Sequence, residues 1–324
     1  MKMIEKLSKL FLATVLGTSF IATTSSCSKD DPAPAADNTI TGKVSADPSL
    51  SLLKTAVVRA NLATTLQGTG PFTVFAPADA AFNAVGLTSA AINATDPAVL
   101  AKVLLYHTLP GSILAANVPA GPNAKVLTAN SPADSVFVTR NANGVFINGI
   151  KVTTADISAS NGVIHKIGAV LQPAIGNIVV TAQGSGLDSL VKAVLRATNA
   201  PGGDPSLAGT LSSAKLTVFA PTNQAFTNLL TALGLSDINN IPVATLLAVL
   251  RYHVVGGRAF SSDLSNGSLA MLAGGSTTVN LTNGTGGGPT IKGNGNGANA
   301  SNITATNIVC TNGVVHLIDR VLLP

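Results

Sequence analysis

Phe72-Thr73-Val74-Phe75-Ala76-Pro77-Ala78-Asp79-Ala80-Ala81-Phe82 returns 144 residues later as Leu216-Thr217-Val218-Phe219-Ala220-Pro221-Thr222-Asn223-Gln224-Ala225-Phe226. A short apolar run stopped by proline predicts a buried strand. The polar residue that follows, Asp79 or Asn223, is expected to cap the helix carrying Phe82 or Phe226. Outward from this pair, Leu105-Tyr106-His107-Thr108-Leu109-Pro110-Gly111 recurs as Arg251-Tyr252-His253-Val254-Val255-Gly256-Gly257. A third motif, Asn161-Gly162-Val163-Ile164-His165-Lys166-Ile167 running on to Pro173, recurs as Asn312-Gly313-Val314-Val315-His316-Leu317-Ile318 running on to Pro324. Both tyrosines and all four histidines of the chain lie inside these motifs. Three motifs repeated in one order predict two copies of one domain, at residues 46–175 and 176–324. The 324-residue length agrees with two cores of roughly 150 residues each.

Periodicity fills in the elements. Leu187, Leu190, Val191, Val194 and Leu195 fall at helical spacing and predict one apolar face of an opening helix, with Leu50, Leu53, Val57 and Val58 as the first-copy equivalent. Asp96-Pro97 places a cap and an N1 proline before the helix that ends at Tyr106-His107, and the second-copy helix opens at Pro242. Residues 135–139 and 145–152 alternate around Asn143-Gly144, which predicts a hairpin. The extra length of the second copy lies in the Gly/Asn-rich residues 283–302. They lack the Asp of a calcium-binding repeat and read as a longer, mobile hairpin loop.

The N-terminus has a different character. Lys2, Lys6 and Lys9 precede an apolar run at residues 10–21, and Ser25-Ser26 leads to Cys27. This resembles a bacterial lipoprotein signal at residues 1–26, with Cys27 as the lipidated residue; the alternative is a simple transmembrane anchor, for which the apolar run is short. Residues 27–45 read as a flexible tether. Its Ser28-Lys29-Asp30-Asp31 also resembles the short acidic tag that directs some lipoproteins to the outer face of the outer membrane. Outer-membrane localisation with exposure at the cell surface is the expectation, and a periplasm-facing orientation is the alternative.

Composition narrows the chemistry. Charged residues make up 10% of the chain and form no basic cluster, which argues against nucleic acid. Without the leader, 16 basic and 13 acidic residues remain, and Glu5, the one glutamate, is gone. A zinc-protease helix is then excluded, and any glycosidase carboxylate pair would be Asp with Asp. Cys310 is the one cysteine left, expected as a small buried hydrophobe with no disulfide partner. The sequence contains no phosphate-binding loop, nucleophile elbow or Arg-Gly-Asp. Asp134-Ser135-Val136 resembles an O-glycan attachment motif of some surface proteins.

Taken together, Thr-Val-Phe-Ala-Pro-x-Asp/Asn-x-Ala-Phe, Tyr-His, and Asn-Gly-Val-x-His-x-Ile resemble the fasciclin-like domain found in fasciclin I, periostin and many bacterial secreted proteins. The resemblance implies an α+β fold of tandem fasciclin-like domains, each a twisted β-sandwich or wedge with helices packed around it. It implies extracellular binding rather than catalysis, with an extracellular protein or glycan as partner, the membrane reached through the lipid anchor, and no cofactor. In that family the Tyr-His pair has been linked to adhesion by animal matrix proteins, so Tyr106, His107, Tyr252 and His253 are the candidate binding residues. Asp79 and Asn223 match the family's acidic or amide position and are expected as hydrogen-bond partners of those histidines.

A structural reading stands beside this one, with the histidines bracing the next loop. His165 and His316 are expected to be structural, on buried strands, and no metal site is expected because neither copy supplies a second and third donor. Two other functions stay open: a periplasmic or outer-membrane assembly factor for same-cell partners, and a hydrolase using Asp and His.

Overall fold

The computed structural model describes residues 37–130 and 134–324. The leader, Cys27 and the tether as far as Ala36 lie outside the described residues. Residues 37–324 form one compact unit.

The first copy contains β1 (Phe72–Pro77), β2 (Thr108–Pro110), β3 (Gly121–Leu127), β4 (Ser135–Asn141), β5 (Gly144–Ile147), β6 (Ile150–Ala159) and β7 (Gly162–Ile167). The second contains β8 (Leu216–Pro221), β9 (Val254–Gly256), β10 (Gly267–Ala270), β11 (Ser276–Asn280), β12 (Thr290–Lys292), β13 (Ser301–Cys310) and β14 (Gly313–Ile318). The first sheet runs β2-β1-β7-β6-β5-β4-β3, and the second has the equivalent order, β9-β8-β14-β13-β12-β11-β10. Within each sheet one pair is parallel, β1 with β7 and β8 with β14; the other pairs are antiparallel.

The quoted stretch explains why each sheet has two covered faces. Alternation along β1 sends Val74 and Ala76 into a core with the helices, while Phe75 enters a second core with Val136 and Val138 of β4 and Ile147 of β5. Residues from opposite ends of one sheet therefore meet, and the sheet closes into a wedge. Val218, Ala220 and Phe219 of β8 divide in the same way. A strand buried on both sides reads as a continuous apolar run, as this one does.

The bend lies in the longest strands. The register of β6 shifts between Val152 and Ile157, and that of β13 between Ile303 and Ile308. Asp156 and Asn307 occupy these bulges at φ 58° and 65°, a left-handed conformation that Asp and Asn tolerate better than most residues.

Several expectations need correction. The tether does not extend to residue 45: Ile40–Ala46 is a helix capped by Thr39, with Ile40 and Val44 in the core. Residues 145–152 are not one strand. After the hairpin near Asn143-Gly144, Asn148-Gly149 makes a second two-residue turn with φ of 48° and 75°, the values a type I′ hairpin turn requires. Residues 283–302 are not simply a mobile loop, because they contain β12, whose Ile291 is fully buried in the second wedge. The opening helices Ser51–Arg59 and Asp188–Asn199 bury Ala56 and Ala193, whereas Val58 and Leu195 are 60% and 52% exposed. At 100° per residue, Leu195 lies nearly opposite the stripe of Leu190, Ala193 and Ala197.

Asp79 and Asn223 cap a different helix from the one expected. Asp79 accepts from the Leu52 N–H at 2.8 Å and the Ser51 hydroxyl at 2.6 Å. Asn223 accepts from the Ser189 N–H at 3.0 Å and donates to the Gly186 carbonyl at 2.9 Å. Each thus ties the start of the opening helix to the residue after the buried strand. The local cap of the Asn223–Ala232 helix is Thr222, whose hydroxyl accepts from the Ala225 N–H. Ala78 occupies the same backbone conformation without a side-chain acceptor. Ala78→Thr should therefore stabilise the first copy by about 1 kcal/mol, read as a raised urea midpoint, and Thr222→Ala should cost a similar amount. An unchanged midpoint in Ala78→Thr would remove this account of the difference between copies.

Candidate functional site

The Tyr-His residues come at the end of the helices Pro97–Tyr106 and Val243–Arg251, where orphan carbonyls need partners. His107 is buried, and its Nδ1–H donates to the Val103 carbonyl at 2.7 Å while Nε2 accepts from the Leu171 N–H at 2.9 Å. His253 repeats this with the Val249 carbonyl at 2.7 Å and the Leu322 N–H at 2.9 Å. This pairing fixes one neutral tautomer, and burial lowers the pKa of each ring to about 4. The imidazole ties the last helical turn to the segment after the final strand of its copy.

The tyrosines are buried too. Tyr106 donates its hydroxyl to the Ser135 carbonyl at 3.2 Å and accepts from the Asn148 amide at 3.0 Å, and burial raises its pKa to about 12. Tyr252 donates to the Ser276 carbonyl and accepts from the Asn294 N–H at 3.3 Å. The four candidate side chains thus face inward, with their polar atoms committed. The hydrogen bonds of Asp79 and Asn223 run to the opening helices and not to His107 or His253, so that expected pairing is corrected.

His165 and His316 build a second brace with a residue that sequence reasoning passed over. Thr73 and Thr217, fully buried on β1 and β8, donate to the Gly111 and Gly257 carbonyls at 2.8 and 2.9 Å. The same hydroxyls accept from the Ile113 and Ala259 N–H groups, both at 2.8 Å. The carbonyls of Ile113 and Ala259 in turn accept from Nε2 of His165 at 2.8 Å and His316 at 3.0 Å. The histidine rings stack on Phe75 and Phe219, with centroids 5.5 and 5.3 Å apart. One threonine and one histidine thereby clamp the loop that follows each Tyr-His motif.

The Asn-Gly pair of the third motif is likewise architectural. Asn161 accepts from the Ile40 N–H and donates to the Leu66 and Gly68 carbonyls; Asn312 accepts from Ile178 and donates to Leu211 and Ala214. A Cβ on Gly162 or Gly313 would lie 2.0 or 2.1 Å from the Phe72 or Leu216 carbonyl oxygen, so only glycine fits that crossing.

The two clamped loops differ at their middle residue. The first copy carries an exposed Ser112 where the second carries Arg258. The Arg258 guanidinium lies 3.8 Å from the ring centroid of Phe137 in the first copy and donates to the Cys310, Thr311 and Gly313 carbonyls. Around it, Asn123 donates to the Arg258 carbonyl at 2.6 Å and Asp263 at 3.0 Å, Asn141 donates to the Ser262 carbonyl, and Phe137 packs on Phe260. Cys310 is buried, and desolvation raises its pKa. Comparing the two copies position by position was the available signal for Arg258. Among the described residues, no group of three His, Cys or Asp side chains could hold a metal ion.

Two outcomes follow. In the unfolded chain His107 and His253 bind protons near pH 6.5, and in the folded chain only near pH 4. Stability should therefore fall as pH drops from 6.5 towards 4, by on the order of 3 kcal/mol per histidine. Urea titrations across this range check it, and a flat profile would refute the neutral brace. Arg258→Ala should leave each copy folded but weaken their contact, read as faster proteolysis near residues 174–177 with unchanged far-ultraviolet dichroism. Unchanged cleavage would show that Arg258 does not hold the copies together.

The Fasciclin domain family model matches residues 48–173 and 196–324. Protein sll1483 from Synechocystis sp. is 37% identical over 138 residues, spanning 42% of this chain and 73% of that protein. Transforming growth factor-beta-induced protein ig-h3 from Sus scrofa is 35% identical over 135 residues, spanning 42% of this chain and 19% of that protein. A solved FAS1 domain pair from the insect cell adhesion molecule fasciclin I aligns with a TM-score of 0.40 and 17% identity, covering 85% of this chain and 97% of that one. The chain belongs to the Fasciclin domain family, as two such domains in tandem.

Proposed function

We propose that this chain is an extracytoplasmic, lipid-anchored binding protein that recognises an extracellular or cell-surface protein or a glycan through its two fasciclin domains. The observation that carries this reading is the use of the repeated polar residues. His107, His253, the tyrosines, Thr73 and Thr217 are spent on internal bracing, which leaves rigid loops and the junction between copies as the surfaces for a partner. A hydrolase would need an imidazole free to move a proton. His107 and His253 have both nitrogens engaged, and the sensitivity of these residues to substitution would report folding. The family's link to adhesion supports the same reading. The basic start, apolar run and Cys27 support a lipid anchor, and the tag after Cys27 supports delivery to the outer surface.

The test has two arms. Protease added to intact cells should digest the protein, and Cys27→Ser should release it from the membrane fraction. Digestion only after the outer membrane is opened would favour the same-cell assembly role. The purified protein should also bind saturably to at least one member of a panel of immobilised matrix proteins and polysaccharides. Absence of binding across the panel by a folded protein would overturn the adhesion reading.

A further inference from the structure

A cleft of about 500 Å³ opens where the two copies meet, within the size range of small-ligand sites and at the kind of boundary where such sites occur. Lys125 projects from β3 of the first copy, and Lys215 immediately precedes β8 of the second; both line the cleft with Arg258. Three cations sharing one cleft is notable in a chain whose charged residues make up only 10% of the total. Neither lysine forms an ion pair among the described residues. Arg258 is fixed by Phe137 and three carbonyls, so its charge stays in place whether or not a ligand is present. The one carboxylate on the lining, Asp134, is hydrogen-bonded to the Asn130 amide.

Of the remaining polar lining, Asn123 is committed to the Arg258 carbonyl and Asp263, Ser135 Oγ is shielded from the cleft, and Thr311 is exposed on the second copy. The aromatic lining is taken, because Arg258 covers the Phe137 face and Tyr106 is buried, so an aromatic ligand has no platform to stack on. Fixed positive charge, an accessible threonine hydroxyl and no stacking surface together describe a ligand that is anionic and polar and not aromatic.

We propose that this interdomain cleft binds an acidic saccharide, whose carboxylate or sulfate is neutralised by Lys125, Lys215 and Arg258 and one of whose hydroxyls pairs with Thr311. The site requires both copies, since Lys125 comes from one and Lys215, Arg258 and Thr311 from the other. It deepens the glycan branch of the proposed function and rests on that reading for access to the ligand.

Calorimetric titration of the purified protein with trigalacturonate tests it, with maltotriose and inorganic sulfate as comparators. Trigalacturonate should bind saturably, more weakly as salt is raised, and maltotriose should not bind. Lys125→Gln/Lys215→Gln, chosen because both side chains are exposed and outside the core, should weaken binding about tenfold or more with an unchanged melting profile. Undiminished binding in that variant, no trigalacturonate binding by the parent protein, or equally tight binding of inorganic sulfate would each overturn the proposal. A parent protein that binds the matrix panel but not trigalacturonate overturns this site alone and leaves the adhesion reading standing.

Discussion

Each copy depends on a neutral imidazole placed between a backbone carbonyl and a backbone N–H that lie far apart in the chain. The helix ending at Tyr106 or Arg251 delivers a carbonyl into the interior, and the segment after the last strand delivers an N–H. His107 and His253 are the donor and the acceptor that satisfy both at once. Because the ring has one proton in this state, it can do both jobs only while neutral. A lysine or arginine could donate but not accept, and a carboxylate could accept but not donate. Histidine is thus selected here for its asymmetric pair of ring nitrogens, with its basicity suppressed by burial.

The other repeated polar residues extend this bracing in an ordered way. Asn161 and Asn312 hold the entry to the first helix of each copy, Asp79 and Asn223 hold the next, and Thr73 with His165, or Thr217 with His316, holds the loop after Tyr-His. Each connects elements far apart in sequence through one side chain. Their summed effect is to fix loop positions as much as to add stability, since a net hydrogen bond contributes only about 1 kcal/mol. With the loop fixed, the residue at its centre acquires a defined direction. In the second copy that residue is Arg258, and the direction leads to Phe137.

Much of the fold was legible because it rests on patterns of one dimension. The repeated motifs announced two copies, and the apolar run from Phe72 to Pro77 announced a strand covered on both faces. The misreadings have a common cause in three-dimensional competition. Asn148-Gly149 sits inside an alternating stretch, so the side-chain pattern continues across a turn that the backbone makes with two left-handed residues. Leu195 fits a helical template that starts at Leu187, but Leu187 precedes the helix and the small Ala193 sets the buried stripe. Asp79 resembles a local cap, yet it serves a helix 27 residues earlier in the chain. The Tyr-His pair was legible as important; its inward orientation was not, because spacing does not reveal which backbone groups are left unpaired.

Duplication separates two kinds of residue in this chain. Positions that keep their chemistry in both copies, such as His107 with His253, Thr73 with Thr217 and Asn161 with Asn312, make the same internal bonds twice. A residue that makes identical bonds in two domains is explained by the domain and carries no information about a partner met by only one of them. Positions that change between copies are free of that requirement. Ser112 and Arg258 occupy the same place on equivalent clamped loops, and one is solvent-exposed while the other crosses to the neighbouring copy. The exchange of a hydroxyl for a guanidinium turned a fixed loop into a joint, and the joint created the cleft in which Lys125 and Lys215 face a common space. Recognition specific to this protein is therefore to be sought where its copies differ, on a framework that their shared residues hold still.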